Sequence, residues 1–99
     1  MPAHAPSAVP LADALRDSGA LARLSERLSE SKRRFESIET LLPVPLAAQA
    51  KPGPLDERGW TLLALTPAAA AKLRQLVPLI EAQLTDQGFA SLAIRVRVR

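Results

Sequence analysis

A short apolar run that leads directly into a helix is the feature that most constrains how this chain can fold. The run at 60–65 has the length and the β-favouring residues of a strand that is covered on at least one face. Thr66 and Pro67 follow with an N-cap hydroxyl and a first-turn proline, which together favour a helix start. Apolar residues then recur at steps of three and four until Gly88, a residue type that often ends helices. The sequence therefore predicts a buried strand followed by an amphipathic helix over 67–87.

Residues 91–99 predict a further strand, because apolar and basic side chains alternate along them. Successive side chains of a strand point to opposite faces, so the two kinds separate. One face receives the apolar members, and the other receives the basic members, Arg95, Arg97 and Arg99. A strand–helix–strand connection makes this strand parallel to the one at 60–65 if the two are neighbours. We expect the arginines to lie on the sheet face that the helices leave open.

The first half of the chain predicts one long helix and an irregular hairpin strand. Residues 20–40 predict the longest helix, and apolar residues at helical spacing form one seam along 21–42 that Ser31 narrows: Leu21, Leu24, Leu28, Phe35, Ile38 and Leu42. Pro43 and Pro45 bound a Leu- and Ala-rich segment that suits a short helix. Residues 50–55 contain two prolines, which allow only an edge strand. Residues 56–59 suit a tight turn that pairs this strand antiparallel with the next one.

These elements predict a small α+β domain with the order α(α)ββαβ, in which helices cover one face of a three-stranded sheet. Ninety-nine residues, of which 47% are apolar, suffice for one core. Residues 1–10 are rich in Ala and Pro and are expected to form a disordered tail, so the domain is assigned to 11–99. Apolar residues of the last helix and strand are expected to pack together: Leu73, Leu76, Ile80, Leu84, Ile94 and Val96.

The sequence contains no pattern typical of a catalytic or cofactor-binding site. The chain has no cysteine, and its one histidine, His4, lies in the predicted tail without a second ligand nearby. It has no Gly-rich phosphate loop, and its turn carboxylates lack a buried cleft in which a pKa is tuned. We therefore expect no enzyme activity, cofactor, metal or small-molecule substrate. No apolar run approaches the ~18 residues that span a bilayer, and no secretory signal is recognisable, so we expect a cytoplasmic protein without membrane contact.

Basic residues are the main candidates for binding. The net charge is +3, and the C-terminal arginines repeat every ~6.6 Å along one face, close to the phosphate spacing of an extended single strand. Further candidates lie on the helices: Lys72, Arg74, Lys32, Arg33 and Arg34. Each set also has a structural interpretation, because the arginines suit a solubilising sheet edge and the helix residues suit solvated faces. Trp60 fits either a base-stacking platform on the arginine face or the core.

Residues 60–78 read Trp-Thr-Leu-Leu-Ala-Leu-Thr-Pro-Ala-Ala-Ala-Ala-Lys-Leu-Arg-Gln-Leu-Val-Pro, a strand followed by a helix of small residues, Lys-Leu-Arg and a proline. This run resembles the DciA family of bacterial replicative-helicase loaders. The Leu-Leu-Pro segment at 41–43, and Gly88 followed by an alternating basic strand, are similar to that family as well, so the resemblance extends over residues 20–99. It implies a K-homology-like α+β domain, binding to the DnaB-type hexameric helicase, affinity for single-stranded DNA and no catalytic residues.

The chain departs from K-homology domains at one motif. Those domains carry a Gly-x-x-Gly loop that binds nucleic acid, and no two glycines of this chain have that spacing. This departure argues against loop-mediated RNA binding and leaves a general RNA-binding domain as a weaker third interpretation.

Two functional hypotheses from different classes follow. The first is a non-enzymatic DNA-replication accessory protein that binds the DnaB-type replicative helicase and single-stranded DNA and assists helicase loading, as the resemblance implies. The second is a small protein-interaction module that uses the helix seam at 21–42 and binds no nucleic acid. Salt-dependent binding separates them, because phosphate contacts release counterions and an apolar seam does not.

Overall fold

The computed structural model describes residues 19–99; the predicted tail at 1–10 and residues 11–18 lie outside the described range. Within it the elements are α1 (Ala20–Glu39), α2 (Val44–Ala47), β1 (Ala50–Asp56), β2 (Gly59–Ala64), α3 (Pro67–Asp86) and β3 (Ile94–Val98). The strands form one three-stranded sheet in the order β1-β2-β3. The predicted α+β class and the predicted order of elements are confirmed.

The sheet is mixed in its strand directions. β1 pairs antiparallel with β2 through the predicted tight turn, and β2 pairs parallel with β3 through the α3 crossover. The β1–β2 register is regular from Ala50 to Pro52 and resumes at Leu55, with an irregularity between them. Pro52 and Pro54 account for it, because proline has no N–H to donate to the ladder. β1 is thus an irregular edge strand, as its sequence predicts.

The turn between β1 and β2 is held by the Asp56 side chain. Asp56 Oδ1 accepts hydrogen bonds from the backbone N–H groups of Arg58, at 2.8 Å, and Gly59, at 3.2 Å. Gly59 has a φ of +144°, and a side chain there would collide with the Ala93 carbonyl oxygen. That carbonyl accepts a hydrogen bond from the Trp60 N–H at 2.8 Å. The glycine therefore lets the start of β2 lie directly against the residue that precedes β3.

One core lies between the sheet and the two long helices. β2 contributes Trp60, Leu62 and Ala64, whose side chains are fully buried. α1 and α3 cover them with further buried apolar side chains: Phe35, Ile38, Ala69, Ala70, Leu73, Ile80 and Leu84. Leu42, which follows α1, is buried in the same core. Trp60 therefore belongs to the core and not to the arginine face.

The residues expected to pack together in the last helix and strand are buried to different degrees. Leu73, Ile80 and Leu84 are core residues, as expected. The other three are partly buried and pack against that core: Leu76, Ile94 and Val96. β3 is an edge strand, so its apolar side chains are covered by α3 on one side only.

α3 begins where the sequence predicts. Thr66 has an extended backbone, its hydroxyl oxygen accepts from the Ala69 N–H at 3.0 Å, and Pro67 occupies the first turn. Proline has no N–H, and the first turn needs none. The helix continues past the exposed Pro78 to Asp86 and so spans the distance between the parallel strands β2 and β3.

α1 buries one half of its apolar seam and exposes the other. Phe35 and Ile38 of the second half lie in the core. The sequence predicts one seam that narrows at Ser31, and the structure divides it there into a buried and an exposed half; Ser31 itself is buried and hydrogen-bonded. The first half carries leucines with 50–57% of their surface exposed: Leu21, Leu24 and Leu28. These leucines form an apolar strip on the surface, and the rest of the domain within residues 19–99 leaves it about half exposed.

Candidate nucleic-acid interface

The arginines of the C-terminal strand lie on the sheet face opposite to the helices; we call Arg95, Arg97 and Arg99 the arginine row. Ile94 and Val96 pack against the core. Because strand side chains alternate between faces, the arginines between and after them point away from the core. The parity that the sequence predicts for these residues is therefore present in the structure.

β2 lies beside the arginine row and fixes its position. Arg95 pairs with Thr61, and Arg97 pairs with Leu63, in the parallel β2–β3 register. Arg99 directly follows β3, and its backbone N–H donates to a β2 carbonyl, that of Ala64, at 2.7 Å. The row is thus carried on hydrogen-bonded sheet along its whole length, which limits the loss of conformational entropy when it binds a ligand.

Two further basic residues, Lys51 and Arg58, lie on this face, and the sequence analysis does not identify them. Lys51 pairs with Leu63 from the β1 side, so it stands across Leu63 from Arg97. Arg58, in the turn, lines the same shallow depression as Arg95. Simple alternation counted back from the turn does not give the correct face for Lys51, because the irregularity of β1 changes the alternation between the turn and this residue. Only the strand register reveals its position.

Asp56 partly offsets the positive charge of this face. Its Oδ1 lies 3.7 Å from Arg95 Nη2, and both side chains are well exposed. The Arg58 N–H that donates to this carboxylate lowers the pKa of Asp56 below its ordinary value, and the Gly59 N–H and the charges of Arg95 and Arg58 act in the same direction. Asp56 is therefore ionised at neutral and mildly acidic pH and loses its charge only when the pH falls through that lowered pKa.

Lys72 and Arg74 lie on opposite flanks of α3. Arg74 Nη2 donates to the Val96 carbonyl at 3.2 Å, at the outer edge of β3. Lys72 lines a depression with Pro45 and Gln49, on the α2 side of the domain. Arg74 is therefore the one of the two that can extend the arginine row, and it also covers a carbonyl on an exposed sheet edge.

The cluster at 32–34 does not form one basic surface. Lys32 lines a groove between α1 and β1 together with Pro52. Arg33 lies on a different flank of α1, beside Glu26 and Glu30. The two side chains therefore face different parts of the surface. Lys32 shares its groove with Leu63, the β2 partner of Arg97, whereas Arg33 lies away from the arginine row.

Arg34 is a structural residue. It is 1% exposed, and its Nε donates to Glu30 Oε2 at 2.7 Å. Its Nη2 donates to the Ala90 carbonyl at 3.0 Å, and its guanidinium lies 5.1 Å from the centre of the Phe89 ring. This placement contradicts the prediction that Arg34 contacts phosphates, because a buried guanidinium with these partners is not available to a ligand. Arg34 instead connects α1 to the segment that leads into β3 through its contacts with Phe89 and Ala90.

A buried chain of hydrogen bonds connects α1 with both strands of the hairpin. Trp60 Nε1 donates to Ser31 Oγ at 2.9 Å, and Ser31 Oγ donates to the Gly53 carbonyl at 2.7 Å. Both side chains are buried, and both polar atoms, Trp60 Nε1 and Ser31 Oγ, have a hydrogen-bond partner. A serine in an apolar seam is the sequence signal for such a contact, because a buried hydroxyl needs partners.

Among residues 19–99, no group of three or more His, Cys, Asp or Glu side chains is placed to hold a metal ion. Nor does any helix in this range have the length and apolar character needed to cross a membrane. No protein-family model, curated protein or solved structure matches the chain.

Proposed function

We propose that this chain is a non-enzymatic DNA-replication accessory protein that binds single-stranded DNA through the arginine row. The observation that carries the proposal is the placement of Arg95, Arg97 and Arg99 on a sheet face that no helix of residues 19–99 covers. Like charges in a row repel one another, and an anionic ligand relieves that repulsion. The ~6.6 Å repeat along the strand lets successive guanidinium groups meet successive phosphates.

The proposed binding is electrostatic and independent of base sequence. Trp60 lies in the core, and Phe89 packs against the core and Arg34. The face around the row is formed by Thr61, Leu63 and charged side chains, which offer little surface for base stacking. We therefore expect weak affinity that falls steeply as salt rises, because each phosphate contact releases a counterion.

Fluorescence anisotropy with labelled single-stranded oligonucleotides of oligo-dT, oligo-dA and mixed sequence tests this proposal. The full chain is expected to bind all three with dissociation constants that agree within about threefold, since phosphate contacts carry no sequence information. A preference of about a hundredfold for one sequence would require base readout and would contradict it.

The resemblance to helicase loaders supports a DnaB-type replicative helicase as the protein partner and a cytoplasmic location. The test is a pull-down of the purified helicase by the full chain, with and without nuclease. Retention after nuclease treatment is the expected result, because it requires a direct contact. If the helicase is retained only without nuclease, DNA bound to both proteins links them indirectly, and this part of the proposal is contradicted.

Replacing Asp56 by asparagine is expected to tighten single-stranded DNA binding. Asparagine still offers an oxygen to the Arg58 and Gly59 N–H groups, so the turn persists, while the charge beside Arg95 disappears. Loss of one exposed negative charge raises the positive potential of this face, and a gain in affinity of up to about fivefold is expected at low salt, where screening is weakest. Anisotropy titration measures it; Glu57→Gln, in the same turn, is the matched control. A weaker affinity in Asp56→Asn would contradict the placement of DNA on this face.

A further inference from the structure

A groove beside the exposed half of α1 has the features of a helix-docking site. Its walls are Leu24 and Leu28 on α1 and the irregular stretch of β1 at 52–55, and its volume is about 500 Å³. The two leucines are 52% and 57% exposed. Exposed apolar surface of this kind, bordered by charged residues, is typical of sites that bind other proteins.

The groove suits a helix better than an added strand. Pro52 and Pro54 have no N–H, and the Gly53 carbonyl already accepts a hydrogen bond from Ser31 Oγ at 2.7 Å. The edge of β1 therefore offers few ladder partners to an incoming strand. The exposed leucines of α1 instead repeat at steps of three and four, which is the spacing that packs against another helix.

The charges around the groove indicate what kind of helix fits. The charged residues that line it are Arg27 and Lys32, and they flank the leucine seam on its two sides, where charges select the partner of a helix pair. Glu26 and Glu30 of the same half of α1 lie on another flank, with Arg33. A second copy of this chain would bring another Arg27 and Lys32 to the groove, and like charges would oppose that pairing.

We propose that this groove binds an amphipathic helix of a partner protein, with apolar residues at steps of three and four and acidic residues on both flanks. The groove runs along β1, and the arginine row lies on β3 at the opposite edge of the sheet. The two surfaces meet at Leu63 but use different charged residues, so this inference holds whether or not the row binds DNA. The contact area is small, and micromolar affinity is expected.

Binding of a designed helical peptide to the full chain tests the inference. The probe is a fluorescein-labelled, helix-stabilised peptide with leucines at steps of three and four and glutamates on both flanks; a second peptide carries lysines on the flanks. At low salt, the glutamate peptide is expected to bind with a dissociation constant on the order of 10 µM and the lysine peptide at least about tenfold more weakly. Equal affinities would overturn the acidic preference.

Substitutions then locate the site. The double variant Leu24→Ser with Leu28→Ser is expected to weaken binding at least about tenfold and to lower Tm by less than about 5 °C, because both leucines are more than half exposed. The control variant Val44→Ser with Leu79→Ser changes side chains that are 83% and 50% exposed outside the groove, and should bind normally. Unchanged affinity in the leucine variant would overturn the site.

Two other occupants give results that overturn the inference. If a second copy fills the groove, sedimentation will show a concentration-dependent dimer that the leucine variant abolishes. If the chain's own residues 1–18 fill it, the full chain will not bind the glutamate peptide, and the leucine variant will lose more than about 5 °C in Tm. Normal single-stranded DNA binding by the leucine variant, and normal peptide binding after substitution of the arginine row, keep this test separate from that of the proposed function.

Discussion

Replacing Trp60 by alanine is expected to lower the free energy of unfolding by about 3–5 kcal/mol, the usual range for a buried aromatic residue. Trp60 is completely buried, so the substitution leaves a cavity beneath the helices. It also removes the indole N–H that donates to Ser31 Oγ at 2.9 Å. Domains of this size are stable by about 5–15 kcal/mol, so such a loss brings the variant close to unfolding. Urea denaturation followed by circular dichroism measures it.

Matched substitutions separate packing from hydrogen bonding at this site. Trp60→Phe keeps an aromatic ring in the core and should lose about 1–2 kcal/mol. Ser31→Ala leaves the indole N–H and the Gly53 carbonyl without their partner, and about 1–3 kcal/mol is expected for it. The double variant Trp60→Phe with Ser31→Ala should lose less free energy of unfolding than the sum of the two single losses, because the two residues share one hydrogen bond. A loss below about 1 kcal/mol for Trp60→Ala would contradict its place in the core.

Replacing Arg34 by alanine is expected to destabilise the domain by about 2–4 kcal/mol. The substitution removes the partner of Glu30, a hydrogen bond to the Ala90 carbonyl and the packing on Phe89. Breaking a buried ion pair from one side usually costs about 3–5 kcal/mol, and the lower range applies here because Glu30 is 32% exposed and water reaches it.

The neighbouring residue supplies the control for Arg34. Arg33 is exposed, so Arg33→Ala should change the free energy of unfolding by less than about 0.5 kcal/mol although it removes the same charge. Arg34→Lys should recover little, because lysine keeps the charge but not the planar fork that reaches Glu30 and Ala90 together. Equal destabilisation by Arg33→Ala and Arg34→Ala would contradict a structural role for Arg34.

The fold followed from local patterns because each pattern had a single physical interpretation. Alternation over 91–99 suits a strand, and Thr66 with Pro67 suits a helix start, whatever the rest of the chain does. The strand alternation also separated the arginine row from the apolar face before any tertiary contact was known. These features depend on residues that are close together in the sequence.

Features that depend on long-range contacts were missed or misassigned. Three consecutive basic residues at 32–34 look like a solvated helix face, and nothing local shows that Arg34 turns inward to Ala90, 56 residues away. The seam of α1 looks like one surface because its spacing of three and four resumes after Ser31, whereas only its second half is buried in the core. Lys51 was missed because its face depends on the β1–β2 register.

The salt dependence of single-stranded DNA binding tests the central claim most directly. It compares the wild-type chain with a triple variant in which the arginine row is replaced: Arg95→Ala, Arg97→Ala and Arg99→Ala. The control removes the same charge from α1: Arg27→Ala, Lys32→Ala and Arg33→Ala. All six side chains are at least partly exposed, so both variants should fold, which circular dichroism checks.

The measurement is the slope of log affinity against log salt concentration, from anisotropy titrations with labelled oligo-dT. Each phosphate contact on a single strand contributes about 0.7 to that slope, so loss of the arginine row should flatten it by about two units. The α1 control should keep the wild-type slope. The same slope in the wild type and in the arginine-row variant, or an equal flattening in both variants, would contradict DNA binding on this face.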